Sequence, residues 1–293
     1  MWIRSLQVFF YILHCIRLGA KPWHFFRINA CYFNSNKGIF SKLDLNQRIP
    51  AHWRLEQYRD TGTEKPARFP VFVKPEWGQN SVGVCCAHSQ QQLDRIRAAR
   101  SPEKRIGWLI QEAAAGKREF EVFLVSETQP GAWAVLSVTE TINAENNRFP
   151  VNGIHNGNTR YRDITWEMSA EQLDSLWHHL STMDPFRVAR FGIRADSLTD
   201  LSEGRFQIFE INLFTPMPLT LLAENVSLPQ KLRSMNRITT AFARLTGALE
   251  PRDKDTSIFF RKVLAHRENK AATVASTPRP KHGKTVLHKG ASL

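Results

Sequence analysis

The stretch FPVFVKPEWGQNSVGV, Phe69 to Val84, constrains this chain most, because it joins a buried apolar run, a single lysine and a turn-forming loop. Phe69 to Val73 is apolar at nearly every position, which suits a strand covered on both faces, and Lys74 stands at its end. A lysine entering the interior needs an anion. Gly78, Asn80, Ser81 and Gly83 then predict a sharply bent loop whose backbone N–H groups can cradle phosphate oxygens. The GxxxxGK[ST] order of a P-loop is absent, since the lysine precedes the glycines. Taken alone, the segment also fits an ordinary β-hairpin with a surface lysine, so the decision falls to other segments.

WLIQEAAAGKREFEVFLV, Trp108 to Val125, predicts a strand ending at Gln111-Glu112, a turn at Gly116 and an alternating strand from Glu119. Glu112 and Glu119 could accept hydrogen bonds from ribose hydroxyls or an adenine-side group, although isolated strand-end acids look the same. In RFQIFEINLFTP, Arg205 to Pro216, Glu210 and Asn212 interrupt an apolar run two residues apart, so both point to one face. Two oxygen ligands side by side on a strand suit Mg²⁺, which shares its shell with nucleotide phosphates. Upstream, VARFGIRADSL supplies Arg190, Arg194 and Asp196, and a hairpin through Asp200, Ser202 and Gly204 is expected to return to the glutamate strand.

The set, in this order, resembles the ATP-grasp superfamily, in its D-alanine–D-alanine ligase-like branch. A further match lies in SKLDLNQRIPAHWRL, Ser41 to Leu55, which resembles the segment carrying the family's first phosphate-binding lysine, here Lys42. The resemblance covers roughly Lys42 to Pro218 and implies an α+β fold with ATP between two subdomains. It places Lys42 and Lys74 on the phosphates and Ser81 and Gly83 in the loop over them. Gln111, Glu112 and Glu119 fall on the adenine and ribose side, and Glu210 and Asn212 on Mg²⁺, or Mn²⁺ in its stead. Family members activate a carboxylate as an acyl phosphate, which an amine then attacks. Lysines and metal neutralise the phosphoryl group in flight, and an arginine, Arg190 or Arg194, stabilises the oxyanion.

Three departures from the family qualify this. With Arg190 as the arginine of R-x-D, the acid position is Gly192; with Arg194, Asp196 restores it as a metal ligand, and the hairpin length favours that register. The substrate loop is replaced by FPVNGIHNGNTRYRD, Phe149 to Asp163, where His155, Arg160 and Arg162 offer carboxylate contacts, His155 being also an ordinary loop histidine. D-alanine specificity is therefore not implied. Only about forty residues precede Lys42, and a βαβ unit needs roughly thirty, so the front nucleotide-binding-like lobe is expected to be missing or reduced. A catalytically degenerate ATP-binding module that recruits a partner, and a kinase-like phosphotransferase, are the rival expectations.

A chain of 293 residues, 42% hydrophobic, can bury the core of such an enzyme. The expected organisation is a helical segment over 1–40, a subdomain with the phosphate loop over 41–125, one with the metal site over 126–250, and a disordered tail over 251–293. The net charge of +13 sits at the ends: residues 1–40 hold five basic side chains and no acid, and 41–260 are almost neutral at +1. Such ends could touch nucleic acid or an anionic membrane, or merely aid solubility. The N-terminal run MWIRSLQVFFYILHCIRLGA is too short and interrupted to span a bilayer and lacks a cleavage site, so it reads as an amphipathic helix packed on the body or on a membrane. Cys15, Cys31, Cys85 and Cys86 show no metal spacing and suit reduced thiols in a cytoplasmic protein. Helices are predicted over Ser89–Arg100, Ser169–Ser181 and Met235–Thr246. Trp77, in the phosphate loop, is the one tryptophan expected to cap a ligand. The acid, the amine and the oligomeric state are not readable.

Overall fold

Two antiparallel sheets organise the chain. The computed structural model describes residues 2–249 apart from 79, 101–106, 130 and 146, together with 258–261 and 263. Most of the predicted basic tail, 251–257, 262 and 264–293, thus lies outside the described residues. In the first sheet β1 (Gln57–Asp60), β2 (Val71–Pro75), β3 (Cys85–Ala87) and β4 (Trp108–Glu112) take the order β1-β4-β2-β3. In the second, β5 (Arg118–Ser126), β6 (Trp133–Asn143), β7 (Thr159–Asp163), β8 (Val188–Ala195) and β9 (Gln207–Asn212) take the order β7-β6-β5-β8-β9. The helices are α1 (Trp2–Arg17), α2 (Lys42–Asn46), α3 (Gln90–Ala99), α4 (Ala170–Ser181), α5 (Leu198–Ser202) and α6 (Leu228–Gly247). The passage between sheets falls at 113–117, ahead of the boundary expected after 125.

Strand alternation explains where the core ends and the cleft begins. On β5, Phe120, Val122 and Leu124 face a large core shared with Phe191 and Ile193 of β8 and Leu176 and Leu180 of α4. The opposite face is split along its length. Phe123 and Val125 are covered by Tyr11 and Cys15 of α1 and by Ile238 and Phe242 of α6. Glu119 and Glu121, four and two residues before Phe123, continue that same face into the cleft. Burying each large apolar side chain contributes about 1.5–3 kcal/mol, so the covered end anchors the polar one.

The first sheet follows the same rule. Val71, Val73 and Ile110 pack on Leu93 of α3, while Phe72 and Lys74 point the other way. Asp60, at the end of β1, is buried against Arg97 (2.7 Å) and Arg100 (2.6 Å), which ties the end of α3 to the sheet.

Local signals explain the element boundaries. Ser89 caps α3, and Ser169 with Gln172 forms a capping box for α4. The hairpin expected between β8 and β9 contains α5, because Ser197 accepts a hydrogen bond from the Asp200 backbone and starts a helical turn. The third helix begins earlier than its apolar stripe suggested, at the Ser227 capping box with Gln230, and Pro229 occupies its first turn. Trp77 does not cap the cleft: it is buried against Ile39. The four cysteines are free thiols.

Candidate active site

Lys74 has the same side-chain direction as Phe72 and enters the gap between the sheets. Its Nζ donates to Oε1 of Gln111 (2.8 Å) and to the carbonyl of Phe209 on β9 (3.1 Å), and the residue is buried. Lys42 arrives from another direction, on the first residue of α2, capped by Ser41. The Ser41 hydroxyl is itself held by buried Glu76, and the Lys42 backbone N–H donates to the Glu76 carbonyl (3.1 Å). The Lys42 Nζ lies 3.4 Å from the Gly78 carbonyl and 3.4 Å from Oε1 of Glu210. Three segments distant in sequence thus place two ammonium groups around one carboxylate. Burial and the neighbouring Lys42 push the Lys74 ammonium down to about 7, with Glu210 opposing. Burial would raise the Glu210 carboxyl, but Lys42, Lys74 and the Asn212 amide (3.0 Å) hold it down at about 2.

Across the second sheet, Glu121, Gly192 and Glu210 stand in register on β5, β8 and β9, with Arg190 opposite Asn212. Arg190 lies 3.1 Å from Glu121 and donates to the Met217 carbonyl (3.1 Å). Burial drives the Glu119 and Glu121 carboxyls up, to about 7 and about 8, against the pull of Arg194 and Arg190 respectively. Buried groups displaced towards neutrality in a cleft are candidates for proton handling or for cation binding. Gly192 has no room for a side chain, since a Cβ there would lie 2.6 Å from the Phe209 ring. The ring fills the place where the resemblance expects an acid.

Two cavities meet at this face. One is lined by Phe72, Lys74, Gln111, Glu112, Glu119 and Arg194; the other by Arg4, Glu121, Tyr161, Arg190, Asn212 and Thr215. Ser81, Asn152, Glu119, Phe209 and Glu210 border both. The loop over them is bent by Asn80 (φ 55°), Ser81 (φ 58°) and Gly83 (φ 78°), and the Ser81 hydroxyl donates to the Asn152 carbonyl. Left-handed backbone at two residues with side chains is uncommon, so Asn80 and Ser81 make the bend together with glycine.

The structure therefore brings together Lys42, Lys74, Ser81, Gln111, Glu112, Glu119, Arg190, Arg194, Glu210 and Asn212. Gly83 shapes the loop without bordering either cavity. Asp196 stands apart: it is exposed beyond the end of β8 and accepts the Lys117 backbone N–H (3.0 Å). Arg194 turns instead to the Arg148 carbonyl (3.0 Å) and the Phe149 ring. The alternation on β8 puts Arg190 beside Glu210 and Asn212, so the preferred Arg194 and Asp196 register does not form a cluster with them. His155 is exposed and borders neither cavity, and Arg160, also exposed, pairs with Glu224 (3.1 Å). Among the described residues no group of three or more His, Cys, Asp or Glu side chains could hold a metal by itself. Glu210 and Asn212 remain a fitting pair for Mg²⁺, which takes one or two carboxylates and completes its shell with phosphates and water.

Sequence reading missed Glu121 and Arg4. The E-x-E alternation at Glu119 was the available signal for the first. Nothing local marks Arg4, which reaches the Thr215 carbonyl and hydroxyl (both 3.3 Å) across 211 positions. Burial and Arg190 lower its pKa, and Thr215 holds an uncommon φ of 43°.

No family model matches the chain. The large chain of carbamoyl phosphate synthase from Clavibacter michiganensis subsp. michiganensis (strain NCPPB 382) is 24% identical over 152 residues, 49% of this chain and 13% of that protein. Solved ligase structures are similar to this chain, among them the ATP-grasp ligase PsnB, at a TM-score of 0.35 and 16% identity over 60% of this chain and 48% of that one. An L-amino acid ligase from Bacillus licheniformis aligns with a TM-score of 0.45 at 13% identity, over 72% of this chain and 50% of that one. The D-alanine–D-alanine ligase from Bacillus anthracis aligns with a TM-score of 0.43 at 16% identity, over 76% and 69%. This chain thus spans half the length of the L-amino acid ligase and about an eighth of the synthase chain.

Proposed function

We propose that this chain is an ATP-grasp ligase that joins a small carboxylate to an amine, with Mg-ATP as cosubstrate. The observation that carries the reading is the convergence of Lys42, Lys74 and Glu210 between the two sheets, with a second cavity beginning at Glu210. Lys42 and Lys74 bind phosphate oxygens and neutralise charge on the transferred phosphoryl group. Gln111 and Glu112 line the nucleotide side, and Phe72 offers its ring to the base. Glu210 and Asn212 would hold Mg²⁺, or Mn²⁺, which would supply charge neutralisation for the nucleotide phosphates.

The acid occupies the cavity edged by Arg190 and Arg4. One of its carboxylate oxygens attacks the γ-phosphorus as the bond to ADP breaks. Attack of the amine on the resulting acyl phosphate forms the carbon–nitrogen bond and releases phosphate. Arg190 faces the oxyanion that develops on the acyl carbon, and Glu119 and Glu121, close to neutrality, are placed to accept the proton that the amine loses. The test is the melting temperature with ATP, with and without Mg²⁺, in the native chain and in Glu210→Gln. A Mg²⁺-dependent rise that Glu210→Gln lacks supports the site; no rise in the native chain removes it.

One observation favours a second reading, nucleotide binding without turnover. The Phe209 ring occupies the place of an acid beside Gly192, leaving a thinner metal shell. ADP release in the presence of candidate acids and amines separates the two.

A further inference from the structure

Helix α1 is apolar on its outward side as well as on its inward one. Its inward side packs Tyr11 and Cys15 into the core beside Phe123 and Phe242 and meets its polar needs there: Gln7 is buried, the Tyr11 hydroxyl bonds the Pro22 carbonyl (2.9 Å) and the Thr246 hydroxyl (3.0 Å), and His14 meets Asn236 (3.0 Å). Its outward side is apolar: Trp2 is 61% exposed, Val8 52%, Phe9 56%, Ile12 40%, Leu13 45% and Ile16 70%. A surface helix normally turns its apolar stripe to the core and its polar face to water. Here the core-facing side is filled, and a second apolar face, broken only by the small Ser5, is left to something outside the fold. Trp23, in the short 3-10 helix Pro22–Arg27 that follows α1, is 66% exposed.

We infer that this face lies on an anionic lipid surface. Charge selects that occupant. Arg17 and Lys21 are exposed at the end of the apolar face, and no Asp or Glu occurs before Asp44. A second copy docked on the same face would bring the same cations together, on chains of +13 each. Anionic headgroups neutralise them instead, each basic residue near the surface contributing about 1 kcal/mol. Tryptophan at the rim suits the headgroup boundary, and an apolar helical face with basic flanks is the pattern of an interfacial helix. Among the described residues no helix is long and apolar enough to cross a membrane, so α1 rests in the interface. Because α1 also carries Arg4 to the cleft, the active face is held at a fixed orientation to the lipid, whether or not the chain turns over ATP.

The experiment is sedimentation of the full chain with vesicles of phosphatidylcholine alone and of phosphatidylcholine mixed with phosphatidylserine. The native chain should pellet with the mixed vesicles and far less with the neutral ones. The double variant Phe9→Ser, Ile16→Asp should lose at least about tenfold in partitioning, since two large side chains no longer enter the lipid. Its melting temperature should be unchanged, both positions being exposed. Arg17→Gln with Lys21→Gln should lose the preference for phosphatidylserine. Equal pelleting of the Phe9→Ser, Ile16→Asp variant would overturn the inference, because charge elsewhere would then carry the binding. So would absence of pelleting with either vesicle, or a dimer in solution that this variant abolishes.

Discussion

Replacing Lys74 with methionine separates the cost of the site from its use. A lysine held at about 7, against an ordinary 10.5, carries a burial cost of about 5 kcal/mol while it is charged. The sign follows from linkage: between pH 7 and about 10.5 the unfolded chain binds the extra proton, so this cost is full below pH 7 and fades as the pH rises. Methionine removes it. The Gln111 Oε1 loses its donor, at about 1–3 kcal/mol, whereas the Phe209 carbonyl keeps the Gln111 amide at 3.0 Å. The ligand-free variant should therefore melt at or above the native temperature near neutral pH. ATP should behave oppositely. At a hundredfold excess over its Kd, ATP stabilises the native chain by about 2.7 kcal/mol. Losing one charge-assisted bond of about 1.5–3 kcal/mol weakens binding roughly 13- to 150-fold. At the same ATP concentration the variant should keep only about 0.3–1.3 kcal/mol. Scanning calorimetry with and without Mg-ATP reads both effects. A ligand-free variant destabilised by more than about 2 kcal/mol, or an undiminished ATP shift, would refute the assignment of Lys74 to the phosphates.

Asp60→Asn should lose about 3–5 kcal/mol, because it removes the buried carboxylate that Arg97 and Arg100 share, Arg97 alone keeping Asp94 (3.2 Å) and the Glu64 carbonyl (2.7 Å) among the partners seen here. Burial opposes ionisation of Asp60, yet those two arginines hold its carboxyl below the usual range. Its contribution is therefore complete above about pH 4 and lost as the pH falls further, an acid limb that urea melts of the variant should lack. Gly116→Ala places a Cβ 2.5 Å from the Ala195 nitrogen and 2.6 Å from the Arg194 carbonyl carbon, both backbone atoms. It should cost about 1–3 kcal/mol, visible in the same melts. His155→Ala and Arg160→Ala should each change stability by less than about 1 kcal/mol and leave the ATP shift intact, since one side chain is exposed and the other sits in an exposed ion pair.

Much of this site is legible in sequence because strand alternation and order carry it. Lys74 at the end of an apolar run, and Glu210 with Asn212 two apart, fix their faces without any tertiary information. Glu119 was legible for the same reason, and Glu121 was overlooked although the same alternation marks it. What failed needed neighbours. The choice between Arg190 and Arg194 depends on which residue of β8 stands opposite Asn212, and on a Phe209 ring that removes the acid position at Gly192. Spacing along one strand contains neither fact. Trp77 lies in the expected phosphate loop by sequence but is buried against Ile39 in space. Arg4 belongs to a helix whose outward face gives no hint that its first turn reaches the cleft. His155 and Arg160 had suitable chemistry, but their loop carries them outward and leaves Gly153 and Ile154 at the cavity.

The most direct test of ligation follows oxygen. A panel of small acids labelled with heavy oxygen in the carboxylate is incubated with the chain, Mg-ATP and hydroxylamine, and the inorganic phosphate is analysed by mass spectrometry. Activation as an acyl phosphate transfers one labelled oxygen to free phosphate and yields an acyl hydroxamate in equal amount. Phosphate that remains on the organic product, or phosphate released without label, would contradict carboxylate–amine ligation.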